Sequence, residues 1–502
     1  MAIRQSKYKH VFGKALKREE CYECIPITRN THDTSFCDVN PKYLAIITET
    51  SGGGGFAVIP ISQVGRMPNI LPMVAGHTSA VLDIQWCPHN NDVIASASDD
   101  CTVKIWEIPK DGIGRGPLTD AIATLIGHQR RVYLVQWHPT AQGADNTLIL
   151  WNSLTQSQLM SVEFPNLVTC LSFNYNGSKL AACSKDGITR ILNPRTGKFL
   201  NARSYFYAQI KFHEGVCHEG KKPQMCVFLE DDRLFTTGFS KMSERQLALW
   251  DSDNLDDCLW RQELDITNGV LFPYYDPDTQ MIFICGKGDS TVRYFEYCPQ
   301  DKQVYYLNRY DSSDPQRGFA FMPKLGLNVS ACEIARLYKL HNKNWCEVIS
   351  FTVPRKSGLF QEDLYPDTVA PIAALTADAW LAGENAGPIK VSVREAGNVS
   401  SSNFVVQPQQ PSRAPSTLVS QGGDSRPGSR IPSSTVSSHP ECSTAIDQMS
   451  NLIDKLNLRI QELETRVTRL EMKHNGRNGD LQHSDCENEN EKEPAWGNLP
   501  DM

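Results

Sequence analysis

Apolar residues in this chain return at every second position, in short runs broken by polar turns. The clearest stretch runs from Val81 to Trp86, crosses a polar break, and resumes as Ile94-Ala95-Ser96-Ala97-Ser98. It then turns at Asp99-Asp100 and closes on Val103-Lys104-Ile105-Trp106. Alternation over about 4–8 residues, bounded by Asp, Asn, Gly and Pro, predicts half-buried strands. The same rhythm predicts strands at Tyr43–Ile47 and Phe56–Ile59, with the glycine run 51–55 as their turn. It continues through Val168–Phe173, Leu180–Cys183, Ile188–Leu192, Met225–Leu229, Leu234–Thr237, Gln246–Asp251, Val270–Phe272, Met281–Cys285, Thr291–Tyr297, Phe319–Met322, Cys332–Leu340 and Val348–Val353. Strands this short and evenly spaced predict an all-β array.

Two of the units open on Gly-His, at Gly76-His77 and Gly127-His128, and close on a Trp, at Trp106 and Trp151. This is the pattern of a WD40 repeat, one four-stranded propeller blade. In such a blade a buried imidazole can bond a turn carboxylate and a strand hydroxyl, and the network can reach the indole N–H. A buried network of this kind holds only if every member is satisfied. The candidates are His77, Asp100, Trp106 and Ser96 or Ser98 in one unit, and His128, Asp145 and Trp151 in the next. Counting the N-terminal hairpin, the chain reads as a seven-bladed WD40 β-propeller over residues 1–353.

The second Gly-His unit is short. Trp86 and Trp106 are 20 residues apart, whereas Trp137 and Trp151 are 14 apart. The six missing residues fall before Gly143, where the second strand of the blade belongs, and a strand averages about 5–6 residues. Either the blade is distorted or the sequence is a shortened splice form or gene model.

The remaining segments differ in character. Residues 1–20 are basic, and Arg4, Lys7, Lys9, Lys14, Lys17 and Arg18 face only Glu19 and Glu20. They read as a solvated edge that can add a strand to the last blade, or as a docking patch for an acidic partner. Residues 354–396 read as an extension packed on the propeller, with a short helix near Ala377–Ala382. Residues 397–442 are rich in Ser, Pro, Gln and Gly and read as a disordered linker. Residues 443–475 carry four heptads behind a capping-box-like Thr444-x-x-Asp447. Ile446, Ile453, Ile460 and Val467 fall at a, and Met449, Leu456, Leu463 and Leu470 at d. This predicts a short α-helical coiled coil. Arg459 at g pairs with Glu464 at e of a neighbouring chain in parallel register, and Arg466 with Glu471. Ile at a with Leu at d alone suggests a dimer. The Arg-h-x-x-h-Glu pattern, present twice, favours a trimer. Residues 476–502 form an acidic tail read as disordered.

Composition narrows the function classes. Of 502 residues 40% are hydrophobic, and the formal charge is −7. No apolar run approaches the roughly 20 residues of a membrane span, and nothing points to nucleic acid. Sixteen scattered cysteines read as reduced thiols of a cytosolic protein. Cys21-x-x-Cys24 lacks the second ligand pair of a zinc site. The glycine run 51–55 lacks the Lys-Ser/Thr of a phosphate loop. There is no Gly-x-Ser-x-Gly motif, so neither catalysis nor a cofactor is expected.

With propeller, extension, linker and coiled coil in this order, the chain resembles the coronins over about residues 4–396 and 443–473. The specific stretches are Lys9-His10-Val11-Phe12-Gly13-Lys14, Ser35-Phe36-Cys37, Gly76-His77, Ser240-Lys241-Met242-Ser243-Glu244-Arg245-Gln246, Gly286-Lys287-Gly288-Asp289-Ser290, Pro315-Gln316-Arg317-Gly318 and Gln361-Glu362-Asp363-Leu364-Tyr365-Pro366-Asp367-Thr368. The resemblance implies a propeller that binds actin filaments (F-actin) and a coiled coil that oligomerises the chain and engages the Arp2/3 complex. It further implies regulation of branched actin networks together with cofilin, in the cytoplasm at the actin cytoskeleton and cell cortex. Arg29, in Ile27-Thr28-Arg29, matches the family's basic residue before the first blade, and Lys7, Lys9 and Lys14 are further candidate actin contacts. Two departures stand out. One is the gap before Gly143. The other is an apparent insertion at 204–217, which doubles the family's single His-Glu-Gly into 213–215 and 218–220. The competing reading is a generic WD-propeller scaffold that clusters other protein partners, for example in membrane traffic or nuclear complexes.

Overall fold

The computed structural model describes residues 6–50, 54–114, 116–139, 148–198, 214–356 and 359–396. The coiled-coil positions from Ile446 to Glu471, the linker, the tail and Asp145 lie outside the described residues.

The alternating segments form antiparallel sheets arranged around one channel. Numbered in chain order, the first blade contains Cys37–Val39, Tyr43–Ile47, Gly55–Pro60 and Met73–Ala75. The second contains Val81–Trp86, Val93–Ser98, Thr102–Glu107 and Ala123–Ile126. Units four, five and six are four-stranded and start at Val168–Phe173, Met225–Phe228 and Leu271–Asp276. Unit seven contains Gln316–Phe321, Glu333–His341 and Trp345–Thr352, and the chain's beginning completes it. Phe12–Ala15 pairs with Trp345–Thr352 as the outer strand, and Tyr22–Glu23 pairs further along the same strand. The Tyr294 hydroxyl donates to Val11 O at 2.9 Å and anchors this return. Joining the first strand to the last blade leaves no open edge at the point of closure.

The expected seven blades are six. The third unit has only a two-stranded ladder, Ile149–Asn152 with Ser157–Ser161. The run Val132–Trp137, which the repeat places as its inner strand behind Gly127-His128, joins no ladder among the described residues. The cause is chain length: the interval from Trp137 to Trp151 cannot hold two turns and a strand. The sector is nevertheless occupied. Leu134, Val135 and Gln136 line the central channel alongside the inner strands of the six blades. Side chains of the second blade hold them there, with Val135 N–H donating to Asp83 Oδ2 at 3.0 Å and Trp137 N–H to Gln85 Oε1 at 2.6 Å.

Similar bonds join other neighbours. Trp86 N–H donates to Asp38 Oδ2 at 2.7 Å, Phe228 N–H to Ser172 Oγ at 2.9 Å, and Thr237 Oγ1 to Leu271 O at 2.5 Å. Between the blades lie apolar layers. Phe56, Trp86 and Trp106 fill one, and Phe283, Tyr294, Phe321 and Phe351 fill another.

Residues 359–396 run as a strap across the channel end that carries the first turn of each blade. Tyr365 donates to Glu333 O of the seventh blade at 2.9 Å. Thr368 donates to Asp278 of the sixth at 2.6 Å, and Lys390 pairs with Glu230 of the fifth at 3.2 Å. The short helix Ala377–Leu381, capped by Thr376, brings Trp380 onto the third unit. There Trp380 is buried against Leu150 and lies 4.6 Å from the His138 ring. The Arg195 guanidinium covers its other side at 4.6 Å and donates to Trp380 O at 2.6 Å.

Candidate functional site

The second blade contains a closed polar network. Trp106 Nε1–H donates to Ser96 Oγ at 2.8 Å, and Ser96 lies 2.8 Å from His77 Nε2. His77 Nδ1 lies 2.8 Å from Asp100 Oδ2. With a neutral ring, one proton order satisfies every member: indole to hydroxyl, hydroxyl to Nε2, Nδ1–H to carboxylate. Burial by itself would raise the Asp100 carboxyl. Hydrogen bonds from His77 and Thr102 outweigh it and hold the group well below the usual carboxylate range. Gly76 is required because a Cβ there would meet Thr119 O at 2.6 Å and the Trp106 ring at 2.8 Å.

The fifth blade repeats the design in residues that the Gly-His motif did not flag. Trp250 Nε1–H donates to Thr236 Oγ1 at 2.9 Å, and Thr236 lies 2.9 Å from His218 Nε2. Gln246 Oε1 takes the place of the carboxylate, 3.3 Å from Nδ1. Burial lowers His218 to about 4, so it is neutral at physiological pH. Of the doubled His-Glu-Gly, the second copy supplies the blade histidine; His213 lies outside the described residues. In the third unit no hydroxyl-bearing strand is found among the described residues, and nothing among them accepts from the buried Trp151 Nε1.

Arg29 sits on the loop before the innermost strand of the first blade, at the end that also carries the Gly-His and Asp-Asp turns. Local bonds shape this loop: Thr28 N–H donates to Ile47 O at 3.1 Å, Arg29 N–H to Glu49 Oε2 at 2.9 Å, and Asn30 N–H to Thr28 Oγ1 at 3.2 Å. Its carbonyls face cations from distant blades. Arg317 donates to Thr28 O at 2.6 Å and Asn30 O at 2.7 Å, and Lys287 donates to His32 O. Both cations also lie over the Phe36 ring, at 5.6 and 3.9 Å. Burial lowers Lys287 to about 8. The seventh blade can approach this closely because residue 318 is glycine; a Cβ there would meet Ser35 O at 2.1 Å. The His32 ring packs at a tilt against Tyr133 at 4.8 Å, and the Arg131 guanidinium lies 5.9 Å from the same tyrosine. The Arg29 side chain is exposed and makes no ion pair among the described residues.

Arg29, Arg131, Lys287 and Arg317 thus gather at one end of the propeller. Lys7, Lys9 and Lys14 lie elsewhere. Phe12–Ala15 enters at the Thr352 end of the last blade's third strand, and Tyr22–Glu23 leaves at its Trp345 end. Lys7 and Lys9 therefore precede the edge at the far end from Arg29, and Lys7 donates to Asp363 O of the strap. Lys14 is exposed on the outer strand, opposite Ser350. The four sequence candidates do not form one patch. The supporting cations Lys287 and Arg317 were missed as site residues, although both lie in stretches that the sequence marks as specific. Among the described residues no group of three or more His, Cys, Asp or Glu is placed to hold a metal, and no helix is long and apolar enough to cross a membrane.

This closed array of four-stranded sheets, with its His–hydroxyl–Trp networks, defines a WD40 β-propeller. Comparison with known families agrees. Residues 69–107 and 158–193 match the WD domain, G-beta repeat, and residues 346–388 match a type of WD40 repeat. Residues 1–66 match a domain of unknown function, DUF1899. Among solved structures, the WD40 domain of Toxoplasma gondii coronin is similar with a TM-score of 0.71 at 30% identity, covering 76% of this chain and 97% of that one. The chain belongs to the coronin family. A chain of a mitotic checkpoint complex structure, at 13% identity over 71% of this chain and 98% of that one, reaches a TM-score of only 0.48 and bears on neither fold nor function.

Proposed function

We propose that this protein binds actin filaments through the basic end of its propeller and, joined to further copies by its coiled coil, regulates branched actin networks with the Arp2/3 complex and cofilin at the cell cortex. The observation that carries this reading is Arg29, exposed on a loop braced by Arg317 and Lys287, in a chain of the coronin family. An actin filament is acidic. A pre-formed cationic face steers such a partner and fixes its register. The loop is already ordered by its own bonds, so docking forfeits little conformational entropy there.

Filament pelleting at low and physiological salt tests the reading. Arg29→Asp is expected to reduce co-sedimentation about tenfold with oligomer size unchanged, and undiminished pelleting removes Arg29 from the interface. Failure of the unmodified protein to pellet at low salt would favour the scaffold reading. The coiled coil is tested separately: Ile460→Asp with Leu463→Asp is expected to give monomers in analytical ultracentrifugation, and a persisting trimer overturns the heptad assignment.

A further inference from the structure

All the cysteines among the described residues are free thiols. Most are sealed in the layers between strands, or stand alone on the surface as Cys24 and Cys258 do. One pair is different. Cys170 and Cys226 lie on the innermost strands of the fourth and fifth blades, Val168–Phe173 and Met225–Phe228. Their sulfurs are 4.0 Å apart, with the Cys226 thiol directed at Cys170 Sγ. Cys226 N–H also points at Cys170 Sγ, at 3.4 Å. The two residues therefore face each other across a seam between blades, held in register by the backbone.

Cys170 is the accessible member. It lines the central channel, whose free volume of about 310 Å³ admits a small oxidant, whereas Cys226 lies behind it in the apolar layer with Cys183 and Cys217. The hydrogen bond from Cys226 outweighs burial and lowers the Cys170 thiol below its usual range, while Cys226 is pushed well up, chiefly by its bonds to Cys170 and Cys183. A more acidic, partly buried thiol on the channel lining, beside a less acidic one behind it, is the arrangement of an attacking and a resolving cysteine.

We propose that Cys170 and Cys226 are a peroxide-sensitive thiol pair that forms a disulfide between the fourth and fifth blades. The Cys170 thiolate attacks one oxygen of hydrogen peroxide. The O–O bond breaks, hydroxide leaves, and Cys170 becomes a sulfenic acid. Cys226 loses its proton and its sulfur attacks Cys170 Sγ; the S–O bond breaks and the oxygen departs as water. In total two thiols and one peroxide give one disulfide and two waters. The sulfurs must close from 4.0 Å to about 2 Å, a movement within reach of side-chain rotation on the neighbouring inner strands of two blades. The bond would add a covalent link, reversible by a thiol reductant, to a seam otherwise held by packing and hydrogen bonds such as Phe228 N–H to Ser172 Oγ.

The test treats the reduced full-length protein with hydrogen peroxide under native conditions, blocks the remaining thiols, and maps the peptides without reduction. A linked peptide pair carrying Cys170 and Cys226 is expected, with loss of both thiols from alkylation and recovery of both after dithiothreitol. Cys170→Ser is expected to abolish the link and leave Cys226 alkylatable only after denaturation. Cys226→Ala is expected to trap Cys170 as a sulfenic acid that reacts with dimedone. Consumption of the surface thiols with Cys170 untouched would overturn the proposal, as would a Cys183–Cys226 link or peroxide adducts on Cys170 without any cross-link. The readings on the unmodified protein decide the matter even if either variant fails to fold.

Discussion

The second blade and the third unit begin from the same elements, Gly-His and a closing Trp, and end differently. In the second, four strands bring Ser96 between His77 and Trp106, and every member of the network of His77, Asp100, Ser96 and Trp106 finds a partner. In the third, the sequence is six residues short where the strand carrying the hydroxyl belongs, and among the described residues the buried Trp151 indole has no acceptor. The ring still has an occupant in this sector. The second blade grips residues 135 and 137 from one side, and Trp380 of the strap packs on Leu150 and the His138 ring from another. The contrast teaches that a propeller sector can be held by its neighbours when it cannot hold itself, at the expense of a saturated polar network.

The contrast can be broken most directly at the strap. Trp380→Ala removes a buried indole whose apolar neighbours Leu150, Leu159 and Met160 stand on a ladder of only two strands. It is expected to destabilise the propeller by about 3–5 kcal/mol, read as a fall in the urea midpoint at constant slope; a loss below about 1 kcal/mol would mean that the strap merely covers the third unit. Next comes Ser96→Ala, which strands both the indole N–H and the imidazole of the intact blade. About 2–3 kcal/mol is expected, and a neutral result would show that the network contributes nothing to stability.

A smaller effect concerns pH. Burial pushes the channel carboxyls Asp38 and Asp83 up to about 7 and about 8. The unfolded chain releases these protons near pH 4, while the native state holds them until pH 7–8. The native state therefore binds more protons across that window, and stability falls as pH rises through it. Asp83→Asn keeps an oxygen acceptor for Val135 N–H, so it is expected to remove about 1–2 kcal/mol of the difference between pH 5 and pH 8. An unaltered pH profile would show that Asp83 is ionised throughout. The finest comparison pairs Trp106→Phe with Trp151→Phe. Both delete the same volume, but only the first breaks a hydrogen bond. The first is expected to cost about 1 kcal/mol more; equal losses would indicate that Trp151 Nε1 is satisfied in solution.

Much of this was legible in the residues. Alternation locates the strands, and the 14-residue interval between Trp137 and Trp151 marks the damaged unit. The basic N-terminus was read as a strand donor, and Phe12–Ala15 forms that strand. The site was only half legible. Arg29 was named by resemblance, while Lys287 and Arg317, which brace its loop from more than 250 residues away, carry no local mark of that task. His218 escaped because Cys217 and not glycine precedes it, and its blade uses Thr236 and Gln246 in place of serine and aspartate.

By itself the sequence determined the fold class, the repeat and the place where the repeat fails, because strand periodicity and chain length are local quantities. Only the tertiary structure decided the number of complete blades. It also decided that Trp380 of a distant strap packs into the weak sector, that Arg29 is separated from Lys7, Lys9 and Lys14, and that Cys170 meets Cys226. Each of these depends on which strands the closed ring makes neighbours, and ring closure joins residues whose spacing along the chain has no period to read.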